Sequence, residues 1–378
     1  MISLALAGKP NVGKSTFFKA ATLADVAIAN YPFTTTEANR GVAHLRTPCA
    51  CKSLDTAGCA CGDTGIRWVP VGLVDVAGLV KGAHKGRGLG NAFLDNLRQA
   101  DAMLHVVDAS GGTDGEGNPV PPGTQDPAED VRMVEEEFTL WLQGLLEKKW
   151  ATLGRRLAGA HAEKELAEAL GGVGVTEPMA KRALARGSDP PGLARALREI
   201  RMPTLVCANK VDAAPPGAAK ALEAPGLPVV PCAADIELAL RMAAKAGLIR
   251  YLPGDRAFDL LGSPTGPQRA ALERIRAFLD RFGPTGVQES LQRGVHDLLG
   301  LMVVYPVEDD GRFTDSKGRV LPDAHLVPRG ATPRDLARAV HTDLAEGFLY
   351  AVDARRKRRL GEDAELRPGD VVRVVSSK

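Results

Sequence analysis

Near the start of the chain, Gly8-Lys9-Pro10-Asn11-Val12-Gly13-Lys14-Ser15 has the residue types and spacing that hold a phosphate, G-x-x-x-x-G-K-S. Gly8 and Gly13 let the backbone wrap an anion without a clashing Cβ. Successive N–H groups, from Asn11, Val12 and Gly13 through Lys14, Ser15 and Thr16, then point inward as an anion nest. Lys14 can place its ammonium on β- and γ-phosphates, and the Ser15 hydroxyl can ligate Mg²⁺. A second motif, Asp75-Val76-Ala77-Gly78, closes an apolar run. There Asp75 can hold a Mg²⁺-bound water, and Gly78 can approach a γ-phosphate with its bare N–H. A third, Asn209-Lys210-Val211-Asp212, has the form that reads guanine. The Asp212 carboxylate would accept both N1–H and N2–H of guanine, whereas adenine offers neither donor there. Such a mismatch discriminates by a factor of roughly 10⁴. Asn209 would brace that loop, and the Lys210 stem would lie along the base. Ala233 stands where a serine often helps hold the base, which leaves the Ala234 N–H as the expected contact.

Four cysteines form two C-x-C pairs, Cys49/Cys51 and Cys59/Cys61, with seven residues between the pairs. Four thiolates can close a tetrahedral structural Zn²⁺ site with no open position for catalysis. C-x-C is tighter than the usual C-x₂-C knuckle, so reduced, unligated thiols stand as the alternative. The run Arg355-Arg356-Lys357-Arg358-Arg359 is the densest charge in the chain. It reads either as a solvated turn or as a contact to RNA phosphates, whose binding such cations dominate.

These residues need particular elements to position them. Ile2–Ala7 reads as a buried strand before the phosphate loop, and Thr16–Thr22 as a helix whose positive end faces the phosphates. Residues 25–40 are irregular and hydroxyl-rich, either a first switch segment or a proline turn with an edge strand. Val42–Leu45 and Trp68–Asp75 read as paired strands. The glycine-rich stretch 79–90 reads as a second switch leading into a helix at Asn91–Gln99. Ala102–Asp108, Thr204–Ala208 and Val229–Ala234 supply further strands. Between them apolar residues at helical spacing mark helices from Val131 onward, at Glu163–Leu170, Met179–Leu184 and Leu193–Ile200. The order implies an α/β fold, a doubly wound and mostly parallel sheet with nucleotide at its carboxyl edge. Residues 1–127 and 201–300 would form the nucleotide-binding domain, with 266–300 a helical connector (helices at Gln268–Phe282 and Val287–Leu299). Residues 128–200 would form an all-helical insertion. Residues 301–378 would form a small β-grasp domain, with strands at Leu301–Val307 and Val371–Val375 and a helix at Arg334–Leu344.

The bulk properties fit an ordinary globular protein of 378 residues, 44% apolar and 25% charged. A net charge of +2 excludes global polyelectrolyte binding, so any nucleic-acid contact must be a local patch. No apolar run approaches the roughly 18 residues of a membrane span, and no secretory leader pattern opens the chain. A cytoplasmic location without membrane contact is expected, where six cysteines do not imply disulfides.

Taken together, the motifs resemble the YchF-type, or Obg-like, branch of P-loop GTPases. The resemblance rests on Gly8–Ser15, Asn30-Tyr31-Pro32-Phe33-Thr34-Thr35, Asp75–Ala83, Gly86–Gly90 and the texture of Leu301–Val375. It implies a C-terminal TGS domain associated with RNA or ribosome contact, and a coiled-coil-like middle domain. It makes Thr35 the Mg²⁺-linked switch threonine, and Leu79 the hydrophobic residue that this branch carries where Ras-like enzymes have a water-orienting glutamine. Many YchF-like proteins lose N-K-x-D and prefer ATP. This chain keeps Asn209, Lys210 and Asp212, as archaeal-type members do, so GTP is expected. The implied activity is slow, Mg²⁺-dependent hydrolysis of GTP to GDP, with Lys14, Thr35 and Gly78 around the γ-phosphate. Water must then be positioned by backbone, a partner or another side chain. Asn11 is compatible with ligating a K⁺ ion that supplies charge there. His84 is a weaker candidate for contacting the water, and reads first as a solvated switch residue. Two other readings stay open: a nucleotide-regulated RNA- or ribosome-binding switch with incidental hydrolysis, and an ATPase of the same family. The oligomeric state is left open.

Overall fold

The structure is a computed structural model and describes residues 1–22, 40–76, 78–79, 81–85, 100–223 and 226–377. The chain divides into two compact units, one of Met1–Ala43 with Val71–Gly294 and one of His44–Pro70 with Val295–Lys378.

The first unit is built on a six-stranded sheet. Its strands are β1 (Ser3–Ala7), β2 (Arg40–Pro48), β3 (Ile66–Asp75), β4 (Ala102–Asp108), β5 (Thr204–Asn209) and β6 (Val229–Pro231), in spatial order β2-β3-β1-β4-β5-β6, with residues 44–48 of β2 and 66–70 of β3 grouped with the second unit. From β3 to β6 every neighbouring pair is parallel. Parallel strands are covered on both faces, which is why β1 and β4 are near-continuous apolar runs; all of β4 is buried. Register does the positioning. Leu6 lies opposite Asp75, Ala7 opposite His105, and Asp108 opposite Asn209. The motif-bearing ends of β1, β3, β4 and β5 therefore share one edge, the carboxyl edge where open α/β sheets bind ligands.

The helical stretch opens with Pro127–Leu157, whose first turn is capped by Asp126 accepting from the Ala128 N–H at 3.0 Å. Helices Ala162–Leu170, Glu177–Leu184 and Pro190–Arg201 follow. Phe138, Leu142 and Leu146 repeat every fourth residue and bury one stripe. They pack with Leu166, Ala183 and Leu197 into a core that also holds Ala5, Ala7, Val74, Val76 and Leu79. Residues 128–200 thus have no separate core; they extend the sheet's own. Trp141 stacks on Phe138 with ring centroids 5.6 Å apart, and Trp150 packs against the same core.

The second unit carries a five-stranded sheet ordered 325–328, 301–307, 371–376, 348–353 and 358–360. Its central pair, Leu301–Val307 and Val371–Ser376, is parallel and the other pairings are antiparallel. Helix Pro333–Val340 packs Leu336 and Ala337 over this sheet, and Thr332 and Asp335 cap it reciprocally. The helix expected over Arg334–Leu344 is two pieces. His341 is extended (φ −160°, ψ 143°) and caps a second short helix, Thr342–Glu346. The helix expected over Val287–Leu299 is α-helical to Arg293 and then widens into a π turn, Gly294–Leu298. At that join a Cβ on Gly294 would sit 3.2 Å from Leu104 Cδ2 and 3.3 Å from Leu4 Cδ1, so any larger residue would make those leucine side chains shift by a few tenths of an ångström. Residues 44–70, expected within the nucleotide-binding domain, cluster instead with the C-terminal sheet: the Tyr305 hydroxyl donates to the Pro48 carbonyl at 3.0 Å.

Candidate nucleotide-binding site

The phosphate loop leaves β1 at Ala7 and closes with helix Lys14–Thr22. Its two glycines are obligatory for different neighbours. At Gly8 (φ +143°) a Cβ would meet the Val106 carbonyl oxygen at 2.3 Å, and at Gly13 (φ +99°) it would meet Asn209 Nδ2 at 2.3 Å. Lys14 Nζ donates to the Lys9 carbonyl at 2.7 Å across the loop. Burial lowers the Lys14 ammonium to about 8, with the Asp75 carboxylate opposing. Ser15 Oγ donates to Asp75 Oδ2 at 3.2 Å, so two hard oxygen donors, the kind Mg²⁺ prefers, already lie side by side. Burial pushes the Asp75 carboxyl above its usual range, and the Ser15 bond and Lys14 oppose this without reversing it.

The third motif is stitched directly to this loop. Asn209 Nδ2 donates to the Val12 carbonyl at 2.9 Å, while Asn209 Oδ1 accepts the Ala234 N–H at 3.0 Å. One buried amide therefore ties together the phosphate loop, the end of β5 and the segment after β6. Lys210, in a left-handed conformation (φ 61°), donates to the Asn11 carbonyl at 2.9 Å and pairs with Asp108 Oδ2 at 2.7 Å. Burial raises the Asp108 carboxyl, but Lys210 and Ser110 outweigh it and hold the group below its ordinary range. Asp212 follows in the same loop, on the exposed side. It lines a groove of about 500 Å³ with Asp235, Arg274, Phe278 and Arg281. Burial, then the neighbouring Asp235 charge, push its carboxyl up. One expectation changes here. The Ala234 N–H is bonded to Asn209, so it braces the loop rather than standing open to a base.

Several partners were not legible in the motifs. Lys9, an x position of the phosphate loop, is buried; its Nζ pairs with Asp130 at 2.7 Å and donates to the Thr113 carbonyl at 2.7 Å. Asn11 Nδ2 donates to the Gly117 carbonyl at 2.9 Å. Gly117 (φ +91°) has no room for a Cβ, which would lie 2.7 Å from the Pro10 carbonyl oxygen. The glycines of the loop between β4 and the long helix were the available signal: it is held against the phosphate loop.

In the second motif, a Cβ on Gly78 would contact Pro10 Cγ at 2.9 Å, so this backbone passes close over the phosphate loop. The Leu79 N–H donates to the Gly8 carbonyl at 3.1 Å, and its side chain is 1% exposed within the sheet–helix core. His84 is not the solvated residue expected. Glu137 from the long helix accepts the Gly82 N–H at 2.6 Å and the His84 N–H at 3.0 Å, and its Oε2 lies 2.7 Å from His84 Nδ1. Burial raises the Glu137 carboxyl, yet those bonds prevail and hold it below its usual range. Thr35, the rest of 25–39, Gly86–Gly90 and the helix expected at Asn91–Gln99 lie outside the described residues.

In the second unit, the Sγ atoms of Cys49, Cys51, Cys59 and Cys61 lie within 4.8 Å of one another. The basic run spans the turn after strand 348–353 and the first two residues of strand 358–360. Arg356 pairs with Asp353 at 3.0 Å, Arg355 donates to the Gly369 carbonyl, Lys357 donates to the Asp310 carbonyl, and the Arg359 guanidinium lies 3.9 Å over the Tyr350 ring. The turn is thus ordered by local partners while its cations stay at the surface. Among the described residues no helix is long and apolar enough to cross a membrane.

A parallel sheet with a glycine-bound phosphate loop, a D-x-x-G strand end and a braced N-K-x-D loop on one edge defines a P-loop GTPase. Residues 3–121 match the family described as 50S ribosome-binding GTPase, 207–309 the Obg-like GTPase YGR210-like, G4 motif-containing domain, and 316–376 the TGS domain. A GTP-binding protein of Methanocaldococcus jannaschii is 45% identical over 399 residues, spanning 100% of both chains. The crystal structure of a GTP binding protein from Pyrococcus horikoshii has a TM-score of 0.78 at 40% identity, over 99% of this chain and 100% of that one. A protein of Mycoplasma genitalium named ribosome-binding ATPase YchF is 46% identical over 107 residues, 28% of each chain. The chain belongs to the YchF-like branch of the Obg-family GTPases.

Proposed function

We propose that this protein is a Mg²⁺-dependent GTPase that hydrolyses GTP slowly to GDP and phosphate, and that it engages the ribosome or RNA in one nucleotide state. The observation that carries the guanine reading is the Asn209 brace, which fixes the loop bearing Asp212 to the Val12 carbonyl of the phosphate cradle. A base-reading carboxylate discriminates only when it is held in register with the phosphates. The family description matched by 207–309 names a G4 motif, which supports the same reading.

Ser15 and Asp75 would hold the Mg²⁺ ion, with Thr35 completing the shell. The metal supplies positive charge at the β- and γ-oxygens. Lys14 and the amides of Asn11 through Thr16 stabilise the charge that develops on the phosphoryl group. The Gly78 N–H serves the γ-phosphate. Leu79 is buried in the core, so it cannot orient a water; positioning falls to backbone, another side chain or a partner, which makes intrinsic turnover slow. The Asn11 amide is anchored through its nitrogen to Gly117, and its oxygen is the atom a K⁺ ion would use. Equal turnover in K⁺ and Na⁺ would remove that role.

Ribosome or RNA contact is assigned to the TGS domain and the turn 355–359, on the strength of the TGS match and of relatives named ribosome-binding. The same relatives are named ATPases, which keeps ATP as the second reading. Competition between GTP and ATP for the full chain tests the first. GTP is expected to bind tighter, and tighter ATP binding would overturn the role of Asp212. Single-turnover hydrolysis with and without ribosomes tests the rest: acceleration marks an assisted GTPase. Nucleotide-dependent binding without acceleration marks a switch whose hydrolysis is incidental.

A further inference from the structure

The four cysteines sit in a loop that secondary structure barely supports. One helical turn, Cys51–Leu54, is followed by four left-handed residues, Asp55 (φ 49°), Gly58 (φ 77°), Gly62 (φ 56°) and Gly65 (φ 63°). A tight turn closed by the Gly62 N–H on the Cys59 carbonyl at 3.0 Å spans the second pair. This course brings the second C-x-C pair onto the first. Cys49 Sγ lies 3.6 Å from Cys59 Sγ, and Cys51 Sγ lies 3.1 Å from Cys61 Sγ. A tetrahedron of sulfurs at the usual Zn–S length has edges of about 3.8 Å. The observed separations, from 3.1 Å up to no more than 4.8 Å, bracket that edge and are well beyond the roughly 2 Å of a disulfide bond.

A second, independent feature is the charge beside the cluster. Arg67 is 8% exposed, and its guanidinium reaches Cys59 Sγ at 3.6 Å and donates to the Leu321 carbonyl. Its Nε has no hydrogen-bond partner among the described residues. Among the described residues it forms no ion pair with a carboxylate; the groups it meets are the Cys59 thiol and the Leu321 carbonyl. A buried cation needs an anion, because an unpaired buried charge is costly. Four neutral thiols provide none. Four thiolates around Zn²⁺ carry a net charge of two minus, and Arg67 faces that charge from the second layer, where such partners tune affinity.

We infer that Cys49, Cys51, Cys59 and Cys61 bind one Zn²⁺ ion as a closed tetrathiolate, with Arg67 as its buried counter-cation. Binding replaces four thiol protons, or fewer where thiolates already exist, and changes no oxidation state. The site is structural. It holds the loop onto the C-terminal sheet's own margin, where Cys59 bridges to Val320, and where Leu321, itself buried and left-handed (φ 44°), presents its carbonyl to Arg67.

The test uses the full chain purified from zinc-supplemented medium without reductant or chelator. Elemental analysis is expected to give about one zinc per chain. Co²⁺ exchanged into the site is expected to show the intense visible bands of tetrahedral cobalt and a thiolate charge-transfer band. Cys51→Ser with Cys61→Ser is expected to lose both signals while GDP binding stays within about twofold, because the nucleotide site belongs to the other unit. Should that variant not fold, Arg67→Met serves instead, with metal retained but competed away by chelator at about 10–100-fold lower concentration. Zinc-free protein that titrates all six cysteines as thiols would overturn the inference, as would zinc-free denatured protein that titrates only two, since the four would then be disulfides.

Discussion

The nucleotide cradle and the cysteine loop are two ways of building a site. The cradle gathers residues from positions 8 to 234, most of them delivered by a strand end or the segment just after it, with Asp130 coming from the long helix, and the polar groups satisfy one another: Asn209 with Val12 and Ala234, Lys210 with Asp108, Lys9 with Asp130. The cysteine loop gathers all its ligands between positions 49 and 61, with one helical turn and left-handed corners to hold them. The first site is a consequence of the sheet and keeps its shape on its own account. The second has no such frame, so a metal bound there would supply much of its order.

Breaking the cradle at its tightest point should give the largest effect. Gly13→Val places side-chain atoms where Asn209 Nδ2 stands and forces a left-handed backbone on a β-branched residue. Nucleotide binding is expected to fall by at least about 100-fold in equilibrium titration, with zinc content unchanged. Next is Asp212→Asn, which removes the acceptor for guanine N1–H and N2–H. The preference for GTP over ATP should fall by a factor on the order of 10⁴, read by competition binding. Asn209→Ala leaves the Val12 carbonyl and the Ala234 N–H without partners. With a penalty of about 1–3 kcal/mol for each buried group, the urea midpoint should drop and GTP affinity fall with it. Leu79→Gln tests the buried position after D-x-x-G. It should not accelerate single-turnover hydrolysis, and should instead destabilise the chain by about 1–3 kcal/mol, because it puts an amide into the sheet–helix core.

The smallest effect is a pH slope. His105 is fully buried on β4 and neither ring nitrogen has a hydrogen-bond partner among the described residues. Burial, aided by the Lys14 charge, lowers it to about 3. The folded state therefore excludes a proton that the unfolded state accepts below its ordinary value of 6.5. The stability is present above that value and is lost as pH falls toward 3, by up to about 1.4 kcal/mol per pH unit. His105→Leu should flatten this part of the curve of urea midpoint against pH. The cysteine variants should not.

Much of the cradle was legible because its motifs are short, ordered and attached to strands. Gly8–Ser15, Asp75–Gly78 and Asn209–Asp212 each follow an apolar run, and a parallel sheet must bring such ends together. The long helix announced itself through Phe138, Leu142 and Leu146. Less was legible where a contact depends on a distant segment. Nothing near Lys9 says that Asp130 will bury it, and nothing near His84 says that Glu137 will hold its backbone. The break at His341 and the π turn at Gly294 also escaped periodicity, because each depends on what the helix meets rather than on its own pattern.

The sequence by itself determined the glycine-bounded phosphate loop, the N-K-x-D spacing that carries Asp212 and the apolar residue at Leu79, since these are properties of residue type at fixed spacing. Only the tertiary structure decided that Asn209 is the amide joining the phosphate and base loops, and that the cysteine segment clusters with the C-terminal unit rather than with the sheet that precedes it. It alone placed Arg67 against Cys59, one of four clustered sulfurs. The reason is that a buried charge and a brace between loops are settled by desolvation and by which groups pair, and those depend on neighbours that the chain brings near only when it folds.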